Sequence, residues 1–159
     1  MDAIDRGAGA NDTPPPAVVV EALKEALDDP ALSKYGFQQG LPAFRTACSN
    51  YLERRFSQRF DPATETLPLI GSKEGLAHLP YAVANPGDLV IFPEPGYQAY
   101  IGGTILSGAI PHVYPLVSSE GFLLEPGRVP DSVLRRTRPV YAHYPTSRTP
   151  RMHPLHTPG

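Results

Sequence analysis

The strongest chemical signal in this sequence is a short glycine-rich stretch, Gly71-Ser72-Lys73-Glu74-Gly75, which follows an apolar run and opens an amphipathic helix. A glycine loop between a strand and a helix presents free backbone N–H groups at the positive end of the helix dipole, which suits an anion such as phosphate. Ser72 adds a hydroxyl and Lys73 adds a cation. Because many ordinary helix starts have the same composition, the loop by itself leaves phosphate binding and simple helix capping both open.

The elements around this loop predict a strand–helix–strand unit. The apolar run Leu67–Ile70 is typical of a buried strand, and the helix that follows has apolar residues on one face, namely Leu76, Leu79 and Val83. Asn85-Pro86-Gly87-Asp88 favours a turn, and Leu89–Phe92 is a second apolar run that predicts a strand. Pro80 lies inside the predicted helix, where it removes the hydrogen bond to Leu76 and is expected to bend the axis.

The rest of the chain continues this alternation. Helices are expected at Ala17–Leu27, Leu41–Phe56, Tyr97–Leu106 and Asp131–Arg136, and strands at His112–Leu116 and Pro139–His143. Alternating helices and strands predict an α/β domain with a largely parallel sheet. The last residues, RTPRMHPLHTPG, have no apolar period and are expected to be disordered.

Composition excludes several classes of protein. The 159 residues carry a net charge of −2, which argues against nucleic-acid binding and against attachment to an anionic membrane surface. No stretch is long and apolar enough to span a bilayer, and Cys48 is the only cysteine, so a cytoplasmic location is expected. The histidines form neither an HExxH pattern nor a Cys/His pairing, so no metal site is predicted.

Three strings together, GSKEG, HLPYAVANPGD and PEPGYQAY, resemble the cofactor-domain core of the class I/II aminotransferases of fold type I, which depend on pyridoxal phosphate. Within that family the chain looks most like the group that contains LL-diaminopimelate aminotransferase. The resemblance implies a three-layer αβα large domain with a mostly parallel sheet, present here only in part and without the family's small domain. It implies that residues 1–145 belong to this cofactor-binding domain and that residues 146–159 form a tail outside the family pattern.

The resemblance also implies roles for individual residues. In the family, the loop that matches Ser72, Lys73 and Glu74 holds the phosphate of pyridoxal 5′-phosphate, and the aromatic residue that matches Tyr97 stacks on the pyridine ring. An aromatic side chain suits that role because a flat ring packs well against another flat apolar face. The plainer alternative for Tyr97 is a half-buried aromatic residue in a turn.

Two further positions match family residues outside this loop. Tyr35 matches a tyrosine that reaches the phosphate of the partner subunit's cofactor in a homodimer, and its plainer alternative is packing on Pro30. Gly9 matches a glycine whose backbone lies against the substrate carboxylate, and its plainer alternative is a flexible turn. The resemblance also implies that the strand at Leu67–Ile70 lies at the opposite end of the sheet from the other three strands.

The match ends inside a family signature that follows Tyr144. The family has Asn-Asn-Pro-Thr-Gly there, whereas this chain reads Thr146-Ser147-Arg148-Thr149-Pro150, so that Ser147 occupies the position of the second asparagine. The family's aspartate that pairs with the pyridine nitrogen and its Schiff-base lysine have no counterpart, so no catalytic residue is predicted. The lysines of this chain, none of which matches the catalytic position, are Lys24, Lys34 and Lys73.

Two hypotheses about function follow. The first is a chain of a homodimeric aminotransferase that moves an amino group between an amino acid and a 2-oxo acid, truncated before the catalytic lysine and inactive by itself. The alternative is a non-enzymatic remnant that binds at most phosphate compounds or a related subunit. A free-standing nucleotide-binding module is disfavoured, because GAGAND lacks the third glycine of a dinucleotide fingerprint and no GxxxxGK[ST] motif is present.

Overall fold

The computed structural model describes residues 11, 13–34, 39–145 and 152. The chain divides into two compact units, one that runs to Pro68 and one that begins at Leu69. The predictions for Gly9, Tyr35 and Ser147 lie outside the described residues, as does the predicted disordered tail apart from Met152.

The helices described in the first unit are α1 at Ala17–Leu27 and α2 at Pro42–Phe56. Both helices were predicted, and Leu41 lies just before α2 with an extended backbone. Pro42 suits the first position of α2, because an N–H at that position has no acceptor within the helix.

The buried side of α2 is polar. Arg45 is only 9% exposed, and its Nη1 donates to the carbonyl of Pro62 at 2.9 Å and to that of Ala63 at 3.1 Å. The hydroxyl of Ser49, which is also buried, donates to the carbonyl of Phe60. These bonds hold the segment that follows α2 against the helix. The apolar side chains Leu41, Phe44 and Tyr51, which recur at helical spacing, are by contrast exposed.

The second unit is built on a three-stranded parallel sheet. Its strands are β1 at Leu89–Glu94, β2 at Ile110–Pro115 and β3 at Thr137–Val140, in the order β2-β1-β3. The central strand β1 is buried over its first five residues, as its uninterrupted apolar sequence predicts for a strand covered on both faces. The helices of this unit are α3 at Ser72–Val83, α4 at Gln98–Leu106 and α5 at Asp131–Leu134.

Successive residues of β1 belong to two different apolar clusters, because side chains alternate between the faces of a strand. One cluster contains Val90, Phe92, Tyr100, Ala109 and Tyr141. The other contains Ile91, Tyr114, Leu116, Leu124 and Val129. Parallel strands with an apolar cluster on each side confirm the predicted α/β fold class.

Helices α3 and α4 pack closely at Gly103. A Cβ at this position would lie 2.1 Å from the carbonyl oxygen of Ala77, so the two backbones approach to a distance that only glycine permits. Thr104 is fully buried beside it and donates its hydroxyl to the carbonyl of Tyr100 at 2.7 Å.

The strand predicted at Leu67–Ile70 is not formed. Leu67 is 68% exposed and Ile70 is 94% exposed, and neither has strand geometry. A strand needs a neighbour to accept and donate its backbone hydrogen bonds, and β1, β2 and β3 pair with one another in the described part of the chain. The prediction was therefore wrong because the apolar run has no strand beside it. Smaller differences concern boundaries: α5 ends at Leu134, and β3 covers Thr137–Val140.

The turn at Asn85-Pro86-Gly87-Asp88 confirms its prediction. The Asp88 N–H donates to the carbonyl of Asn85 at 3.0 Å, and the Asp88 carboxylate accepts the Asn85 N–H at 2.8 Å. Arg138 also donates to that carboxylate, at 3.3 Å. These interactions lower the pKa of Asp88, the Asn85 N–H most strongly and the Arg138 guanidinium less. The turn is thereby joined to β3.

Candidate functional site

The glycine-rich loop lies at the start of α3 with its polar groups open to solvent. Gly71 precedes the helix with φ 88° and ψ 154°, a conformation that favours glycine. The N–H groups of the first helical turn, which include those of Ser72 and Lys73, have no acceptors within an α-helix. Both side chains are exposed. The loop therefore offers a hydroxyl, an ammonium and backbone N–H groups, which together suit an anion.

Glu74 takes part in capping this helix. Its carboxylate accepts the N–H of Ile70 at 2.5 Å, and its own N–H donates to the carbonyl of Gly71 at 3.2 Å. The carboxylate also places a negative charge at the positive end of the helix dipole, where it is stabilising. The side chain of Glu74 is thus engaged with the protein, and its contribution to cofactor binding stays a prediction.

Tyr97 lies close to this loop. It immediately precedes α4 and is half-buried. The Nζ of Lys73 lies 5.6 Å from the centroid of the Tyr97 ring, a distance typical of a cation–π contact. Tyr97 follows the carboxyl end of β1, and the carboxyl ends of parallel strands are where α/β proteins bind ligands. The structure therefore brings together the Lys73 cation of the glycine-rich loop and the aromatic ring predicted to stack on a cofactor.

Two further tyrosines support Tyr97 and were not predicted. The rings of Tyr97 and Tyr100 meet edge to face at 5.9 Å, and those of Tyr100 and Tyr141 stack at 4.3 Å with 16° between their planes. Burial raises the pKa of the Tyr100 and Tyr141 phenols, and each is raised further by the neighbouring tyrosine. The spacing of Tyr97 and Tyr100, three residues apart at the start of a helix, was a usable signal. Tyr141 follows a different strand, so no local pattern joins it to them.

The described residues give two further findings. None of the helices in this part of the chain has the length and apolar content needed to cross a bilayer. Within the same residues, no three His, Cys, Asp or Glu side chains are grouped so that they could hold a metal ion.

The model of the family "Aminotransferase class I and II" matches residues 2–135. The chain belongs to this family. Its relatives include the LL-diaminopimelate aminotransferases of Desulforudis audaxviator, 43% identical over 149 residues, and of Aquifex aeolicus, 41% identical over the same length. Each alignment covers 94% of this chain and 38% of the relative, so this aminotransferase-family chain spans well under half the length of the relatives that it matches.

Solved structures confirm the fold of the family. A substrate-bound structure of BacF from Bacillus subtilis matches with a TM-score of 0.82 and 32% identity, over 89% of this chain and 36% of that one. A probable N-succinyldiaminopimelate aminotransferase from Thermus thermophilus matches with a TM-score of 0.81 and 36% identity, over 92% and 39% of the two chains. The resemblance stated from the sequence is therefore confirmed at the level of family and fold.

Proposed function

We propose that this chain is part of the cofactor-binding domain of an enzyme similar to LL-diaminopimelate aminotransferase. Such an enzyme transfers an amino group between an amino acid and a 2-oxo acid, and we propose that it works as a cytoplasmic homodimer. The observation that carries the proposal is the position of Lys73 against the ring of Tyr97 at the start of α3. The identity to two LL-diaminopimelate aminotransferases supports this choice within the family.

The chemistry of these residues fits pyridoxal 5′-phosphate, which has an anionic phosphate and a flat heteroaromatic ring. Ser72 and Lys73 suit the phosphate, since they offer a hydroxyl, a cation and the N–H groups of a helix start. Tyr97 suits the ring, because one aromatic face packs on another. When bound, the cofactor supplies the electron-withdrawing ring that amino-group transfer requires.

The residues named by the resemblance have different roles in the proposed site. Lys73 neutralises phosphate charge, Ser72 donates a hydrogen bond to a phosphate oxygen, and Tyr97 sets the plane of the ring. Glu74 contributes through the order that it gives the loop, since its carboxylate is bound to the N–H of Ile70. Tyr35 is proposed to reach the phosphate in the partner subunit, and Gly9 to lie against the substrate carboxylate.

We further propose that the 159-residue polypeptide does not carry out transamination alone. Amino-group transfer by this family needs a lysine that holds the cofactor and moves a proton at the substrate carbon. The lysines present match no such position, and Lys73 is placed against Tyr97 at the phosphate end of the proposed site. Amino-transfer activity of the purified polypeptide above that of a heat-treated sample would contradict this part of the proposal.

The alternative function is the binding of phosphate compounds without any chemistry. It is favoured by the exposure of Ser72 and Lys73, because an exposed loop accepts an anion whether or not a ring occupies the space beside Tyr97. Cofactor binding requires the ring of Tyr97, whereas the binding of phosphate compounds alone does not. The experiment therefore measures the contribution of Tyr97.

The experiment titrates the chain with pyridoxine 5′-phosphate, pyridoxine and inorganic phosphate while backbone amide shifts are recorded by NMR. Pyridoxine 5′-phosphate keeps the ring and phosphate of the cofactor but has no aldehyde, so it does not react with lysines. We expect it to shift the amides of residues 71–75 and of Tyr97, and inorganic phosphate to shift those of 71–75. Arg135 and Arg136 are exposed cations outside this loop. Shifts centred on them would contradict the proposed site.

Two variants separate the cofactor function from the alternative. Lys73→Ala is expected to weaken both phosphate-containing ligands by about tenfold, the loss typical of a hydrogen bond to a charged group. Tyr97→Leu is expected to weaken pyridoxine 5′-phosphate but not inorganic phosphate. Lys24→Ala, which removes an exposed lysine paired with Glu21 on α1, is the matched control and should change neither. Equal affinity of Tyr97→Leu and the unmutated chain for pyridoxine 5′-phosphate would favour phosphate binding alone.

A further inference from the structure

Helix α3 contains a proline that leaves one of its carbonyl groups without a donor. In an α-helix the carbonyl of each residue accepts the N–H four residues later, so the carbonyl of Leu76 should accept the N–H of residue 80. That residue is Pro80, which has no N–H and is fully buried. The helix nevertheless continues to Val83. The hydrogen bond missing from Leu76 must therefore be replaced, or a polar group is left unsatisfied inside the unit.

The hydroxyl of Tyr141 replaces it. This hydroxyl donates to the carbonyl oxygen of Leu76 at 2.5 Å. Tyr141 comes directly after β3, and its own N–H donates to the carbonyl of Ile91 at 2.9 Å. Its side chain is 5% exposed. A phenol supplied from the end of a strand thus takes the position of the helix N–H that Pro80 cannot provide.

The phenol is held in one place by its neighbours. Its ring stacks on Tyr100, which meets Tyr97, and Lys73 lies over the ring of Tyr97. Burial raises the pKa of Tyr141, so the hydroxyl keeps the proton that it donates. These contacts connect Lys73 of α3, through the three tyrosines, to Leu76 of the same helix, one helical turn later.

We propose that Tyr141 is a positioning residue, which holds α3 at Leu76 against the tyrosine stack by taking the place of the N–H that Pro80 lacks. Its consequence for ligand binding rests on the function proposed above for Ser72 and Lys73, because these residues lie in the helical turn that precedes Leu76. The hydroxyl matters only while residue 80 is proline, since any other residue would return an N–H to the carbonyl of Leu76.

A double-mutant cycle tests this dependence with Tyr141→Phe, Pro80→Ala and the two together. The first readout is hydrogen exchange of the α3 amides, and the second is the dissociation constant of inorganic phosphate measured from the amides of residues 71–75. In the native background, Tyr141→Phe should raise the exchange rates of the α3 amides and the dissociation constant of phosphate by about three- to tenfold each. This is the change expected for the loss of one hydrogen bond. In the Pro80→Ala background, the same change should alter each readout less than about twofold, because the helix then satisfies its own carbonyl.

The control is Tyr114→Phe, which removes a buried tyrosine hydroxyl from the other apolar cluster of the same unit. That hydroxyl accepts the N–H of Glu125 at 3.3 Å and is expected to have no effect on either readout. An equal effect of Tyr141→Phe in both backgrounds would overturn the proposal, because the hydroxyl would then act independently of the N–H that Pro80 lacks. Unchanged exchange in the native background would also overturn it.

The two readouts separate this inference from the proposed function. If inorganic phosphate does not bind residues 71–75 of the unmutated chain, the proposed function of the loop fails. Hydrogen exchange decides the positioning role in that case as well, because it reports on α3 without any ligand. Coupling between Tyr141 and Pro80 in exchange would support the role, and independent effects of the two changes would exclude it.

Discussion

The unit that ends at Pro68 and the unit that begins at Leu69 both contain helices with apolar side chains, but among the described residues only those of the second unit form an apolar interior. Apart from Pro80, the buried apolar side chains of the described residues lie between Leu89 and Tyr141. In the described part of the first unit, the buried polar residues Arg45 and Ser49 form its interior contacts. Leu23 of α1, by contrast, is 63% exposed although it lies at helical spacing from the apolar residues Val19 and Leu27.

The difference lies in the sheet. A helix has one apolar stripe and needs another surface to cover it, whereas the central strand β1 supplies apolar side chains to both of its faces. In the described part of the first unit, α1 and α2 have no sheet beside them, and polar bonds join α2 to the segment that follows it. An apolar pattern therefore indicates which side chains would be stabilised by burial, but it does not supply the second surface that buries them. The candidate site is in the unit whose sheet gives its loops a packed support.

The largest expected effect compares one side chain from each unit. Ile91→Ala removes a 1% exposed side chain from the central strand and should lower the free energy of unfolding of its unit by about 2–5 kcal/mol. Leu23→Ala should change stability by less than about 0.5 kcal/mol, because this side chain is largely exposed. The exchange rates of the β1 amides report the effect of Ile91→Ala, and those of the α1 amides report the effect of Leu23→Ala. A cost for Leu23→Ala near that for Ile91→Ala would mean that the apolar face of α1 is covered in solution.

The next effect concerns two adjacent glycines of α4. Gly103→Ala places a Cβ against the carbonyl of Ala77 and should destabilise the second unit by about 1–3 kcal/mol. Gly102→Ala is the matched control, since its Cβ would meet nothing within 4 Å and alanine favours a helix by up to about 1 kcal/mol. Urea unfolding followed by tyrosine fluorescence compares the two. Similar midpoints for both variants would show that α3 and α4 do not pack closely in solution.

The smallest effect concerns a polar contact in the second unit, the carboxylate of Asp88. Its pKa is lowered from 3.8 in the folded chain, so its contribution to stability is present above that value and is lost as pH falls through the lower folded pKa. Asp88→Asn should therefore reduce stability slightly near neutral pH, and the difference from the unmutated chain should disappear in acid.

Urea midpoints measured from neutral pH to below 3.8 check this expectation. Glu25→Gln, which removes the charge of an exposed carboxylate in the first unit, is the matched charge-removal control. Added salt should also reduce the effect of Asp88→Asn, because part of it comes from Arg138 at an exposed position. A difference that persists unchanged in acid would show that the carboxylate charge does not contribute.

The local elements of this protein could be predicted because their signals lie within a few neighbouring residues. Helix α1 has the predicted bounds, and the turn before β1 follows from Pro86 and Gly87. The proposed anion-binding role of Ser72 and Lys73 came from a strand–glycine–helix pattern, of which the glycine turn and the helix are formed but the strand is not. The role of Tyr97 was predicted only through the resemblance to the aminotransferases, since its residue type alone favours a half-buried turn aromatic.

The amino-acid sequence by itself determined the family and, apart from the strand expected at Leu67–Ile70, the order of the elements. The anion-binding role of Ser72 and Lys73 stays a prediction. Only the tertiary structure decided that Leu67–Ile70 does not form a strand, that Arg45 is buried where apolar residues of the same helix are exposed, and that the hydroxyl of Tyr141 serves the carbonyl of Leu76. The reason is that polar groups form hydrogen bonds, and apolar groups pack, with the groups that lie beside them in space. Propensity and periodicity describe only what lies beside them in the chain.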